Sequence, residues 1–262
     1  MQEDIIVDIQ NFKKSFGSRV IHRSINLQIR RGECLGLLGG SGAGKSVILR
    51  SLIGLERPDS GKILIGGYDI TTLSEGELVP FRKKVAYVFQ GGALFDSMTV
   101  FENLAYPLRE HTDLSESQIS EKILNLLQDF GLEGRETLLP ANLSGGMQKR
   151  VGLARAIILE PSVVLYDEPT AGLDPFNTRR IQEMIMKLKA KGVSSMLVTH
   201  DMPTAFAVCD RIALLLDGTI NAIIPTKELV ENYSIEADGS MHQKNPNVEN
   251  TRMTHFINGD EP

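Results

Sequence analysis

Between Cys34 and Gly54 an apolar run, a glycine-rich turn and a helix-patterned stretch follow one another without interruption. Cys34 to Leu38 is continuously apolar, the pattern of a strand buried on both faces. The next eight residues, Gly39, Gly40, Ser41, Gly42, Ala43, Gly44, Lys45 and Ser46, match G-x-x-x-x-G-K-[ST]. Val47 to Gly54 then carries helical spacing and stops at a glycine. Glycines let the backbone wrap closely around an anion and turn successive N–H groups toward it. A helix starting near Lys45 adds its positive end. In such a cradle Lys45 reaches the β- and γ-phosphates and the Ser46 hydroxyl ligates Mg²⁺. A dinucleotide fingerprint is excluded, because the sixth position counted from Gly40 is Lys45 rather than Gly or Ala. The pattern predicts NTP binding, with Val47 following the loop into the helix, but not which kind of NTPase.

The flanking sequence predicts the scaffold. Ile5 to Ile9 and Ser24 to Ile29 alternate with period two, separated by a turn at Phe16-Gly17-Ser18. Lys62 to Ile65 and Val85 to Phe89 read as further strands. After Gln90 the pattern changes. From Val100 to Phe130 apolar residues recur every three or four positions, with a break at His111 to Ser115 between two helices. This predicts a helical insert at about 91–160. Strand and helix then alternate: Val163 to Tyr166, Pro175 to Lys191, Ser195 to Thr199, Pro203 to Val208. That alternation implies an α/β fold with a mostly parallel sheet covered by helices. From about Tyr233 the chain turns polar, predicting a flexible stretch and then a short helix near Val248 to Ile257.

Composition narrows the class. With 262 residues, 42% hydrophobic and 23% charged, the chain is an ordinary globular protein of one large α/β unit carrying a subdomain. A formal net charge of −5 argues against a dedicated nucleic-acid binder. Cys34 and Cys209, in apolar surroundings and far apart in sequence, read as small core side chains in a reducing compartment. Met1 to Asp8 lacks the apolar core of a signal peptide. The apolar runs, such as Ile212 to Leu216, are strand-sized and short of the ~20 residues a membrane helix needs. Any membrane role must come through partners.

Two further segments carry chemistry. Val163 to Glu168 is an apolar strand ending in two acids, where a parallel sheet presents ligands. Asp167 fits a Mg²⁺-holding role and Glu168 that of polarising an attacking water. Upstream, Leu143-Ser144-Gly145-Gly146-Met147-Gln148 places Ser144 as the cap of a helix running through Lys149 to Ile158, with glycines leaving its end open to an anion.

With these segments in order, the chain resembles an ABC-transporter nucleotide-binding domain over essentially its whole length. Leu143 to Gln148 corresponds to the family's signature motif, Gln90 to the Q-loop glutamine, Ala171-Gly172-Leu173-Asp174 to the D-loop and His200 to the switch histidine. Phe16 stands where the family sets an aromatic ring against adenine. The resemblance implies a P-loop NTPase core with an antiparallel β region and the inserted helical subdomain, an ATPase domain over 1–232 and a C-terminal extension over 233–262. It implies ATP and Mg²⁺ as cofactors, the metal held by Ser46, Gln90 and Asp167. It also implies a head-to-tail homodimer, in which Ser144, Gly145 and Gly146 of one copy meet the γ-phosphate held by Gly39 to Ser46 of the other. Glu168, His200 and Gln90 are the catalytic residues it implies.

Gly91 to Asn103, then Pro107 to His111, is similar to the stretch after the Q-loop in ATPases of Mla-type phospholipid transport systems, as are Ser144 to Arg150 and Leu165 to Pro175. That resemblance implies a multispanning permease, an MCE-domain lipid-binding protein and a small cytoplasmic regulatory subunit as partners, at the cytoplasmic face of the inner membrane of a double-membraned bacterium. Gly91-Gly92 is expected to give the loop unusual freedom. The alternatives are an ABC ATPase for an amino acid or lipoprotein, or one driving cell-wall remodelling.

Overall fold

Strands that are apolar on both faces must be covered on both faces, and this chain supplies the cover from two directions. The structure, a computed structural model, describes residues 4–235, 241–244 and 252–258. Its strands are β1 (Ile5–Phe16), β2 (Arg19–Arg30), β3 (Cys34–Leu38), β4 (Ser60–Ile65), β5 (Tyr68–Asp69), β6 (Val85–Val88), β7 (Val163–Asp167), β8 (Ser194–Val198), β9 (Arg211–Leu216), β10 (Thr219–Pro225), β11 (Tyr233–Ile235) and β12 (Met241–Gln243). Its α-helices are α1 (Lys45–Leu52), α2 (Glu75–Lys84), α3 (Val100–His111), α4 (Glu116–Asp129), α5 (Gly145–Ile157), α6 (Pro175–Ala190), α7 (Met202–Val208), α8 (Thr226–Asn232) and α9 (Arg252–Asn258).

Ten strands form one sheet in the order β5-β4-β1-β2-β10-β9-β3-β8-β7-β6. Strands β9, β3, β8, β7 and β6 run parallel. The β5-β4-β1-β2 side is antiparallel, and β10 joins the two halves, antiparallel to β9 and parallel to β2. Every residue of β3 and β8 is buried, as the unbroken apolar run of Cys34 to Leu38 requires. One core lies between the parallel strands and α3 to α7. The other packs α1 with Ile9, Phe12, Ile25 and Ile29 of the antiparallel wing. Each fully buried Leu or Ile contributes roughly 1.5–3 kcal/mol, so the two cores fix the relation of β3, β7 and β8 firmly.

Several elements depart from the sequence reading. Strands β1 and β2 are each 12 residues long, because their pairing continues through polar positions such as Lys14 opposite His22. Helix α2 was not expected from periodicity. It carries Pro80 inside and only Leu78 buried, and its start is fixed by a capping box between Ser74 and Glu77. Of the Gly91-Gly92 pair, Gly91 stands in open space and Gly92 is packed. Gly92 lies against α5 so closely that a Cβ on Gly152 would sit 2.7 Å from Gly92 backbone atoms. These glycines serve close approach of a loop and a helix. Cys34 and Cys209 are buried as expected, but they also meet, with sulfurs 3.8 Å apart.

Beyond Tyr233, the predicted flexible stretch falls largely outside the described residues, as does the start of the helix expected near Val248. Where the extension is described, β11 pairs with β12, and Met253 of α9 is fully buried in the larger core with Phe256 and Ile257 packed against it.

Candidate nucleotide-binding site

The parallel strands β3, β7 and β8 all end on the same edge, and the turns leaving them build one cleft of about 610 Å³. Phe16, Arg19 and Ile21 line it from the antiparallel wing. Gly39, Ser41, Gly42, Gly44, Lys45, Ser46 and Val47 form its floor, and Gln90, Asp167, Glu168, Val198 and His200 close the far side. Phe16, the phosphate loop, Gln90, the Asp167-Glu168 pair and His200, far apart along the chain, converge here.

The floor is set by backbone constraints. Gly44 is the N-cap of α1 at φ 94°, with no side chain capping the helix, so no side chain covers the positive end of α1, although the Val47 N–H already donates to the Gly44 carbonyl at 3.0 Å. A Cβ on Gly44 would lie 2.5 Å from both the His22 ring and Ile21. A Cβ on Gly39 would lie 2.6 Å from the Leu215 carbonyl of β9. The outer glycines of the motif are thus also demanded by packing beneath the loop. The Lys45 ammonium donates to the carbonyls of Gly39, at 2.7 Å, and Gly40, at 3.0 Å. Burial lowers its pKa from the usual lysine value, with the carboxylates of Glu168 and Asp167 opposing that shift.

His22 lies fully buried under this loop, its ring 5.4 Å from that of Phe12. Neither ring nitrogen makes a full hydrogen bond among the described residues. Burial pushes the imidazole down to about 4, which the neighbouring Gly44 backbone offsets only in part. The ring is therefore neutral at pH 7.

On the far wall, the Ser46 hydroxyl donates to Asp167 Oδ1 at 3.1 Å and the Tyr87 hydroxyl to Asp167 Oδ2 at 2.7 Å. Burial, then the bond to Asp167, raises the Tyr87 phenol well above the usual tyrosine value, so it stays a donor. Glu168 follows at φ 50°, left-handed for a non-glycine residue, its N–H bonded to the Val198 carbonyl at 2.9 Å. That turn aims its carboxylate at His200, whose Nδ1 is 2.9 Å from Oε1 and whose backbone N–H donates to Oε2 at 3.3 Å. Phe16 is half exposed at the opposite end, with the Lys14 ammonium 4.9 Å from its ring centre.

The donors fit a hard divalent cation. The Ser46 hydroxyl, an Asp167 carboxylate and the Gln90 amide supply oxygen only. Among the described residues no cluster of three or more His, Cys, Asp or Glu exists that could hold a metal alone. Mg²⁺ suits such a sparse set, because it retains water and takes phosphate oxygens for the rest of its shell.

Leu143 to Gln148, Leu173 and Asp174 do not line this cleft. Ser144 caps α5, its hydroxyl accepting from the Met147 N–H at 3.3 Å. The Gln148 amide donates to the carbonyls of Pro140, at 2.9 Å, and Leu143, at 3.3 Å, holding the turn before the helix. Asp174 caps α6 by accepting from the Asn177 N–H at 2.9 Å. Arg19, Ile21, Tyr87 and Val198 are cleft or wall residues that sequence reasoning missed. None stands in a motif, and only the fold carries them to the site.

A ten-stranded mixed sheet with a phosphate-loop cleft and a helical insert defines a nucleotide-binding P-loop domain. The family model for ABC transporters matches residues 22–171, and the chain belongs to the ABC transporter family. It is 45% identical over 216 residues to a probable ribonucleotide transport ATP-binding protein, mkl, of Mycobacterium leprae, covering 82% of this chain and 62% of that protein. The chain thus spans about three-fifths of the length of such mycobacterial relatives. It is 36% identical over 250 residues to the intermembrane phospholipid transport system ATP-binding protein MlaF of Haemophilus influenzae, covering 92% of this chain and 95% of that one. Among solved structures, cbiO1 of Clostridium perfringens, part of an ABC transporter complex, superposes with a TM-score of 0.80 at 29% identity, over 87% of this chain and 92% of that one. A dimeric ATP-binding cassette in a post-hydrolysis state with ADP and Pi gives 0.78 at 31% identity, over 84% and 98%. Among the described residues no helix is long and apolar enough to cross a membrane.

Proposed function

We propose that this chain is the ATP-hydrolysing subunit of an ABC transporter that powers phospholipid transport between the membranes of a double-membraned bacterium through a separate permease. The observation carrying the ATPase reading is the convergence of Gly39, Ser41, Gly42, Gly44 to Val47, Gln90, Asp167, Glu168 and His200 on one cleft. Phe16 offers a half-exposed ring for the base at one end. The uncapped positive end of α1 and the Lys45 ammonium, exchanging its loop carbonyls for anionic oxygens, take the phosphates. Ser46, Asp167 and Gln90 would hold Mg²⁺, which would supply charge neutralisation at the phosphate oxygens. Glu168, fixed by its left-handed backbone and by His200, orients the attacking water and accepts its proton. His200 is positioned to stabilise charge at the γ-phosphate end.

The cleft lacks a signature segment from its own chain, which supports the reading that a second copy supplies Ser144, Gly145 and Gly146. ATP then bridges two copies, and hydrolysis releases them. The domain reading follows the same frame: an ATPase unit over 1–232 with its helical subdomain at about 91–160, and an extension over 233–262.

The phospholipid cargo is supported by the MlaF likeness, which spans nearly the whole of both chains. On this reading a multispanning permease docks near the segment after Gln90, where Phe95 and Tyr106 are half exposed. An MCE-domain protein and a small regulatory subunit complete a complex at the cytoplasmic face of the inner membrane. The mkl likeness favours a second reading, ribonucleotide transport. Affinity purification from the native membrane, with bound proteins identified and lipids extracted, separates the two. Phospholipid above a mock purification, with a permease and an MCE-domain protein, is the expected result. A different permease without lipid removes the cargo assignment and leaves the ATPase intact.

A further inference from the structure

Among the described residues, Asp167 is the one carboxylate in the cleft whose two oxygens are claimed by hydroxyls on two different elements. Ser46 of α1 holds Oδ1 at 3.1 Å, and Tyr87 of β6 holds Oδ2 at 2.7 Å. A carboxylate at a strand end rotates about its terminal torsion unless both oxygens are engaged. With only Ser46 as partner, Asp167 would keep one oxygen free to swing. The Tyr87 ring is itself held. It is half-buried, lies at a 33° tilt against Phe89 with ring centres 4.3 Å apart, and its hydroxyl also faces Arg50 of α1. Strand β6 pairs with β7 in register, setting Tyr87 beside Leu165 and Val88 beside Tyr166, so the backbone fixes where the hydroxyl arrives. Two residues beyond the end of β6 stands Gln90, on the rim of the same cleft.

We propose that Tyr87 is a positioning residue for the metal: its hydroxyl locks the Asp167 carboxylate in the orientation that, with Ser46, receives the cation. This rests on the Mg²⁺ reading of Ser46 and Asp167. Partners that orient a metal-holding carboxylate typically matter by 10- to 100-fold in metal affinity, about tenfold where the metal keeps much of its shell from water and nucleotide. An apolar-patterned strand would be satisfied by a phenylalanine at position 87, so the hydroxyl has a role that packing does not require. The bond also ties the strand that leads into Gln90 directly to the metal-holding carboxylate.

The test compares the full-length wild type, Tyr87→Phe and Asp167→Asn. Mn²⁺ binding to each protein–ADP complex is read by electron paramagnetic resonance, ADP binding in EDTA by calorimetry, and melting temperature in EDTA alongside. Tyr87→Phe keeps the ring and its contact with Phe89. Its Mn²⁺ binding should weaken about tenfold, with ADP binding in EDTA unchanged. A lower melting temperature with Mn²⁺ affinity within about twofold of wild type would make Tyr87 a structural residue and overturn the proposal. If Asp167→Asn also left Mn²⁺ affinity unchanged, the metal assignment itself would fall, and the role of Tyr87 with it.

Discussion

Two helices in this molecule begin at glycine-rich turns that the sequence marks as anion sites, and they are built in opposite ways. Helix α1 starts at a left-handed Gly44 with no capping side chain, packed against the buried His22 and the half-buried Ile21, inside the cleft. Helix α5 starts at Ser144, whose hydroxyl already satisfies one amide, with Ser144 and Gly145 exposed and outside the cleft. The first end is pre-formed by its own chain and costs little to organise around a phosphate. The second is stable without a ligand and presents a surface. On the proposed function, half of the site is intramolecular and the other half is supplied by a second copy.

The comparison breaks first at Lys45. Replacing Lys45 with Ala removes the cation of the pre-formed end, and nucleotide affinity in calorimetry should fall by about thirtyfold or more, corresponding to roughly 2–5 kcal/mol for a lost charge partner. Wild-type affinity in that variant would mean the loop amides alone hold the anion.

The buried floor predicts a pH signature confined to the α1 end. The folded-state pKa of His22 is lowered from 6.5 to about 4. Between these values the unfolded chain binds a proton that the folded chain refuses. Stability is thus full above pH 6.5 and lost as pH falls toward 4, by roughly 3 kcal/mol in total. Urea denaturation of His22→Leu across that window should give a visibly flatter dependence than wild type. An identical slope would place the acid sensitivity elsewhere.

The smallest effect belongs to the other helix. Ser144→Ala should cost about 1 kcal/mol of stability through the lost cap, leaving nucleotide affinity of the isolated chain unchanged. Weakened binding to the isolated chain would mean that α5 contributes in cis, against the contrast drawn between the two ends.

How much of this was legible in the sequence follows from how local each feature is. The phosphate loop and the Asp167-Glu168 pair are short segments whose chemistry is written in consecutive residues, next to strands with unbroken apolar runs. Tyr87 and His22 each sit in a strand where an aromatic or a single polar residue fits the ordinary pattern, and their partners lie far along the chain. Only strand order brings Tyr87 to Asp167. Other features were written locally and passed over. Ser74 and Glu77 spell a capping box ahead of α2, obscured by Pro80 and a charged helix face. Asp217-Gly218, at φ 48° and 73°, is a hairpin signal joining β9 to β10. Gly92 reads as a free loop position because its neighbour, Gly152, is sixty residues away on α5.

Whether the cleft is half a site completed by another copy can be read by mixing two inactive variants. Lys45→Ala disables the phosphate loop. Gly145→Asp adds a carboxylate at the first position of α5, where a Cβ meets no atom within 4 Å and a negative charge suits the helix but repels phosphate. If the site forms between copies, a mixed dimer concentrates both lesions in one site and leaves the other intact. ATP turnover of the equimolar mixture should then rise to roughly a quarter of wild type, since half the dimers are mixed and each holds one working site. A mixture no more active than either variant alone would contradict the account.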